Sequence, residues 1–291
     1  MALAQGSRTR RTIVRGVHMN RRDFLQTVAV ATAGGALVRE GGAAVRGVQL
    51  GAQTYSFRDM ALAAAVDAMA TLGIETCELW AGHLRQADKE PPTVEDARKA
   101  KALFDQAGVG LHAFNGQFSP KATDEELANT FELARVLGVT LVTTSTKVSL
   151  ASRIGPLAEK ADMVVGFHNH SRIGNDETAT PADFARAQQL GGDAIKINLD
   201  IGHFVAANLD PVAFLEEHHA DVIALHIKDR KRDQGDNVPF GEGDTPITEV
   251  LQAVRDGGWP IHANIEYEYK GTDTVTEVRR CLDYCRKALE S

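Results

Sequence analysis

The chain lacks what several protein classes require. It has three Cys and nine Pro among 291 residues, so a disulfide-rich miniprotein, a collagen-like repeat and a low-complexity chain are excluded. Cys281 and Cys285 stand one helical turn apart and are expected to pack in the core of the last helix. A spanning helix needs about 20 mostly apolar residues. The small, apolar stretch Phe24–Val38 has 15 and is interrupted by Gln26, Thr27, Thr32, Gly34 and Gly35, so a stable membrane anchor is not expected. Linkers, fixed-period repeats and composition breaks are missing after residue 45, which predicts one domain over 45–291. The glycine-rich phosphate turn of a doubly wound sheet is also missing, because the first strand leads into Tyr55-Ser56-Phe57-Arg58-Asp59.

Charge is unevenly spread. The formal net charge is −7, yet residues 1–44 hold seven Arg against Asp23 and Glu40. Residues 45–291 carry 25 basic and 37 acidic groups. An acidic body repels polyanions, so a nucleic-acid partner is not expected. Within the basic head, Asn20-Arg21-Arg22-Asp23-Phe24-Leu25 resembles the twin-arginine export signal. That resemblance implies a leader over 1–44, passage through the twin-arginine translocase, and a periplasmic or secreted mature protein. Met19 directly precedes the motif and is a candidate start. Gly42 and Ala44 offer small residues for cleavage after Ala44.

What is present is a repeating theme of short apolar or β-branched runs alternating with amphipathic segments. The runs are Val48–Tyr55, Ile74–Leu79, Val109–Phe114, Val139–Ser145, Met163–His168, Ile195–Asp200, Val222–Ile227 and Ile261–Tyr267. Between them, Leu62, Val66, Met69 and Leu72 fall at helical spacing, as do Leu127, Phe131 and Ala134. Thr123 with Glu126 and Thr274 with Glu277 read as capping boxes. Thr180-Pro181 and Asp210-Pro211 place a capping residue before Pro at the first helical position. Gly108, Gly138 and Gly257 read as left-handed stops. Eight β/α units in about 250 residues predict a closed (β/α)8 TIM barrel.

In such a barrel the chemistry gathers at the carboxyl ends of the strands. Those ends carry Glu78, Trp80 and His83 on strand 2, His112 on strand 3, and His168 and His170 on strand 5. Asp200 and His203 follow on strand 6, His226 and Lys228 on strand 7, and Glu266 on strand 8. Alternation with period two puts His168 and His170 on one face. Mixed imidazole and carboxylate donors suit one divalent ion such as Mn2+, Zn2+, Co2+ or Fe2+. No strand-end Cys supports a structural thiolate zinc site.

The pieces Gly166-Phe167-His168-Asn169-His170, Leu199-Asp200-Ile201-Gly202-His203, Leu225-His226-Ile227-Lys228-Asp229, Gly241-Glu242-Gly243 and Ile265-Glu266-Tyr267 together resemble the xylose isomerase-like barrels. These include the sugar phosphate isomerases and epimerases and endonuclease IV. The resemblance covers nearly all of 47–288. It implies a divalent ion held by a strand-5 Glu, a strand-6 Asp, a strand-7 His and a strand-8 Glu. Asp200, His226 and Glu266 match the last three, and His168 stands at the place of the first. The family's epimerases use two metal-bound Glu as a paired acid and base, and here only Glu266 remains. The endonuclease branch needs further His ligands that neither Thr143-Thr144-Ser145 nor the stretch before Gly241 supplies.

The resemblance therefore implies an exported, single-metal isomerase or epimerase of a small carbohydrate or keto-sugar. The ion would polarise a carbonyl while a neighbouring C–H proton leaves through an enediolate. Glu266, His170 and Lys228 are the candidate proton-transfer groups. Glu78, Trp80, His83, His112 and His203 are the candidate substrate contacts. The alternative is a metal-dependent lyase or dehydratase of a keto-sugar or keto-glycoside, which uses the same enediolate and expels a β-substituent, and a non-catalytic metal-dependent sugar-binding protein is the third reading.

Overall fold

The computed structural model describes residues 44–85 and 91–291. The twin-arginine motif, the candidate start at Met19 and nearly all of the leader lie outside the described residues. Strands form at all eight expected places: β1 (Gln49–Gln53), β2 (Thr76–Trp80), β3 (Gly110–Asn115), β4 (Leu141–Thr144), β5 (Val164–His168), β6 (Ile195–Asp200), β7 (Val222–Ile227) and β8 (His262–Ile265). Each pairs in parallel with the next, and β8 returns to β1, closing the sheet into a (β/α)8 barrel. The first and last runs are shorter than expected. After Gln53 the chain enters a 3-10 turn over Thr54–Phe57, and Glu266 follows β8 rather than lying within it.

Nine α-helices are found among the described residues: α1 (Leu62–Leu72), α2 (Val94–Ala107), α3 (Asp124–Leu137), α4 (Ala151–Ala161), α5 (Pro181–Gly191), α6 (Ile201–Ala206), α7 (Pro211–His218), α8 (Ile247–Gly257) and α9 (Thr274–Glu290). α1 buries Val66, Met69 and Leu72, and α3 buries Leu127, Phe131 and Ala134, as their spacing requires. The Thr123–Glu126 box and the caps at Thr180 and Asp210 are in place. Two local expectations are corrected. α9 is capped by Asp273, whose Oδ1 accepts from Thr276 N at 3.0 Å. Glu277 instead accepts from Thr272 N, Thr272 Oγ1 and Tyr269 OH, binding the preceding loop to the helix. Gly257 is still helical, and the left-handed stop is Gly258 at φ +61°. No described helix is long and apolar enough to cross a membrane.

Apolar side chains fill the layer between sheet and helices, with Leu79, Phe114, Val165, Phe167, Leu199 and Leu225 all at most 1% exposed. The carboxyl-terminal half of the barrel interior is polar instead. Gln53, Glu78, Thr143, Asn198, His226 and Asn264 are buried there, each at most 3% exposed. Unpaired buried polar groups cost about 1–3 kcal/mol each, so this layer must bond to itself, and its bonds centre on Glu78. The register then sets the functional ends side by side, with Asp200 opposite His226 and His226 opposite Asn264.

The outer ring has one point of very close approach. Gly155 in α4 faces Gly191 at the end of α5, and a Cβ on Gly155 would lie 1.9 Å from the Gly191 carbonyl oxygen. In an open helix interior, replacing Gly by Ala stabilises by about 0.5–1 kcal/mol. Here the sign should reverse. Gly155→Ala is expected to destabilise by about 1–3 kcal/mol through overpacking, read as a lower urea midpoint with an unchanged slope. A neutral or raised midpoint would contradict the close helix contact.

Candidate metal centre and active site

Four side chains converge just above the polar layer. One donor atom from each of His168, Asp200, His226 and Glu266 lies within 4.8 Å of all the others, and all four residues are buried. His168 Nε2 is 3.4 Å from Asp200 Oδ2, and His226 Nδ1 is 3.1 Å from Glu266 Oε2. None of these four buried atoms makes a well-formed hydrogen bond. Two imidazole nitrogens and two carboxylate oxygens, gathered at one point, fit a borderline divalent ion. The cluster could therefore hold one. It takes in His168 and leaves out His170.

The opposite nitrogen of each imidazole is held. His168 Nδ1 is 3.0 Å from Ser145 Oγ, and His226 Nε2 is 3.1 Å from both Glu78 oxygens. A carboxylate behind a ligating His fixes its tautomer and orientation and raises its basicity. This corrects the expectation for Glu78 as a substrate contact. It is fully buried and accepts from Gln53 Nε2 at 2.7 Å, Thr143 Oγ1 at 2.6 Å and Asn264 Nδ2 at 3.0 Å. Burial raises its pKa, but the His226 imidazole and its hydrogen bonds outweigh that and pull it down to about 2.

Asp200 is fixed by local backbone. Its N–H donates to Asn169 Oδ1 at 2.8 Å, its carbonyl accepts from Asn169 Nδ2 at 3.0 Å, and its Oδ1 caps α6 through His203 N at 2.6 Å. Lys228, 2% exposed, reaches into the same centre. Its Nζ is 3.1 Å from Asp200 Oδ2, 3.0 Å from Glu266 Oε2 and 2.5 Å from Glu268 Oε2. Burial disfavours charge on Asp200 and Glu266, yet this ammonium holds both carboxyls below their ordinary range. Burial likewise opposes charge on Lys228, and the three carboxylates keep it protonated.

A pocket of about 160 Å³ opens over the cluster, lined by His168, His170, His203, His226, Lys228, Glu266 and Glu268 together with Tyr55, Trp80 and Ser145. Trp80 meets Tyr55 edge-on, with ring centroids 5.0 Å apart. Arg230 Nη1 is 2.6 Å from His203 Nδ1 and also donates to Ser171 Oγ. A guanidinium can only donate, so Nδ1 accepts, while Nε2 stands 3.3 Å from Lys228 Nζ. Burial, with the neighbouring Lys228 charge, holds this imidazole well below its ordinary pKa. His170 stands at the exposed rim, 5.2 Å from the His168 ring and 5.1 Å from that of His203. The protein around its ring, then His168, push its pKa down to about 4.

Two further expected contacts do not line this pocket. His112 lies lower in the barrel, with Nδ1 at 3.1 Å from Thr76 Oγ1 and its ring stacked 3.8 Å from that of His262. His112 Nε2 also stands 3.3 Å from Asn264 Nδ2, so the ring belongs to the buried polar layer beneath the pocket. His83 sits behind Trp80, with ring centroids 5.5 Å apart. Conversely, Gln53, Ser145, Arg230 and Glu268 were not foreseen as site residues. Glu268 had a signal, because it is a second carboxylate two residues beyond Glu266 in sequence.

Fold and cluster together define a class: a TIM barrel with a buried set of metal-competent donors at the carboxyl ends of its strands. Residues 66–288 match the family described as xylose isomerase-like TIM barrel, and the chain belongs to that family. No curated protein sequence matches it. Among solved structures, it is similar to the probable 3-DHS dehydratase AsbF from Bacillus anthracis, at 18% identity over 84% of this chain and 99% of that one, with a TM-score of 0.66. It is similar to 3-keto-D-glucoside 4-epimerase, YcjR, from E. coli, at 14% identity over 82% of this chain and 99% of that one, TM-score 0.65. A D-tagatose 3-epimerase-like protein is also similar, at 17% identity, covering 84% and 98%, TM-score 0.64. At these identities the likeness is one of fold.

The geometry fixes the sign of a pH effect on ion binding. Burial opposes charge on His226, but Glu78 and Glu266 outweigh it and hold the imidazole well above its ordinary 6.5. An ion needs Nδ1 unprotonated, so binding must release that proton. Affinity for Mn2+ or Zn2+ should rise by about tenfold per pH unit between about pH 6 and 8. Titration calorimetry in buffers of different ionisation enthalpy reads the released proton directly, and zero release would overturn this account. Asp200→Ala and His226→Ala should bind no ion at this site, whereas Glu78→Gln should weaken binding by about 10–100-fold.

Proposed function

We propose that the protein is a divalent-metal-dependent isomerase or epimerase of a carbohydrate or keto-sugar. The observation that carries the reading is the convergence of four buried donor atoms, none with a well-formed hydrogen bond, beneath a pocket whose lining also includes His170 and Lys228. The bound ion would polarise a carbonyl and stabilise negative charge as the adjacent C–H proton leaves. Glu266 would accept that proton from carbon through its carboxylate. His170, in the pocket wall and neutral at pH 7, is the second proton carrier, acting as a base toward the substrate. His203 and Lys228 line the pocket beside the cluster, and Trp80 offers a face for a sugar ring. The epimerases and the dehydratase among the similar folds fit this enolising chemistry.

One observation favours a second reading. His168 stands where the family's epimerases carry a second carboxylate, and Lys228, in the pocket lining, would be the acid toward a departing oxygen. A lyase or dehydratase needs one base and one acid of this kind. Proton NMR in D2O on the Mn2+-loaded protein with keto-sugars separates the readings. Exchange with inversion or carbonyl transfer supports the first, release of a leaving group the second, and no exchange would refute both. His168→Ala should lose ion and turnover together. His170→Ala should keep the ion and lose about 10²–10⁴-fold in rate, and the opposite pattern would reverse the two roles.

The reading includes export, supported by Arg21-Arg22 followed by Phe24-Leu25. Replacing Arg21 and Arg22 together by Lys should leave active, uncleaved protein in the cytoplasm on cell fractionation. Normal export of that variant would refute the twin-arginine assignment.

A further inference from the structure

The pocket over the cluster is small for a complete substrate. At about 160 Å³ it falls below the roughly 300–1,000 Å³ of ordinary small-molecule sites. A second cavity of about 240 Å³ adjoins it and shares three of its walls, Ser145, His168 and His170. Together the two reach the ordinary range. The second compartment is walled by Phe118 and Pro120 after β3, by Thr146 and Lys147 after β4, and by Glu177 and Thr178 before α5.

These walls are tied to one another. Thr146 Oγ1 donates to the Phe118 carbonyl at 2.8 Å, and Thr178 Oγ1 to the Thr146 carbonyl at 3.4 Å. His170 N donates to the Thr178 carbonyl at 2.9 Å, and Ser149 binds both oxygens of Asp176. The compartment is thus built from three cross-linked loops. Its character is mixed in a specific way. Phe118 and Pro120 give it an apolar face, while Lys147 and Glu177 pair at 2.5 Å and cancel each other's charge. A phosphate placed there would meet the Glu177 carboxylate as well as the lysine. A neutral ring would meet an apolar surface with hydrogen-bonding groups at its edge.

Resting on the proposed sugar chemistry, we infer that the substrate is a glycoside: a sugar in the pocket over the cluster, carrying an uncharged second ring that occupies the compartment beyond His168 and His170. The ring is a sugar or an aryl group joined through a glycosidic oxygen. A sugar phosphate is disfavoured. His170, standing between the compartments, faces the link between the two rings, so the group that serves proton transfer also separates sugar from substituent.

The test compares D-glucose, cellobiose, phenyl β-D-glucoside and D-glucose 6-phosphate as ligands of the Mn2+-loaded protein, using saturation-transfer NMR and titration. The two-ring probes should bind at least about tenfold more tightly than glucose, with saturation reaching the second ring, and the phosphate should gain nothing. Cellobiose and the phenyl glucoside then decide between a sugar and an aryl ring. Pro120→Trp, at an exposed wall position, should reduce the two-ring probes to the level of glucose. Glu177→Gln removes the carboxylate and leaves Lys147, so it should raise affinity for glucose 6-phosphate several-fold relative to glucose. Equal binding of all four probes, no binding of any, or tightest binding of the phosphate by the unaltered protein would overturn the inference. The two claims can fail separately. Proton exchange on a free keto-sugar without two-ring preference sinks the glycoside claim alone. Two-ring preference without exchange on any keto-sugar sinks the isomerase and lyase readings and leaves the compartment standing.

Discussion

Much of this barrel depends on one buried carboxylate. Glu78 sits on β2 and accepts from Gln53 on β1, Thr143 on β4 and Asn264 on β8, and it faces His226 on β7. Five of the eight strands thus meet at a single side chain with no exposed surface. Burying that charge would cost several kcal/mol if it were isolated, and its partners would be orphaned if it were absent. The polar layer is therefore held together around Glu78, although the amide oxygens of Asn198 and Asn264 have no hydrogen-bond partner. Its consequence for function is directional. With Nε2 turned down to Glu78, His226 can present only Nδ1 to the cluster above, so the orientation of a candidate ligand is decided inside the barrel core.

Charge balance at the cluster follows a similar logic. Asp200 and Glu266 are both buried and would repel each other across a few ångströms. Lys228 answers both, and Glu268, whose side chain is 21% exposed, gives the same ammonium a third partner nearer solvent. The ammonium keeps the carboxylates ionised and ready to act as donors. Having His168 in place of a carboxylate also matters. A third anion here would face only one lysine, whereas an imidazole adds a donor atom without adding charge. An imidazole at His168 thus suits a centre already served by Lys228.

The sequence made the scaffold legible because strand formation depends on local pattern. All eight apolar runs became strands, and the donor residues at their ends assembled because parallel barrel strands finish at one face. Depth and long-range pairing were not legible. Glu78 and His226 are 148 residues apart, and nothing in either run states that one lies beneath the other. His112 shares the inward face of β3 but sits too low to reach the pocket. The Thr274–Glu277 reading failed for a related reason. The spacing was right for a capping box, but Tyr269 and Thr272 offered Glu277 better partners in the preceding loop, and Asp273 took the cap.

The strand-5 pair shows how a short motif can serve two compartments. In Phe167-His168-Asn169-His170, Phe167 points outward into the apolar layer and His168 inward to the cluster. Asn169 then makes two hydrogen bonds to the backbone of Asp200, locking the end of β5 to the end of β6. That clamp holds two of the four donor residues in fixed relation. It also marks where the chain leaves the sheet, so the next residue rises to the rim instead of continuing inward. The two histidines therefore differ in burial, in partners and in role because the asparagine between them is committed to its neighbour strand.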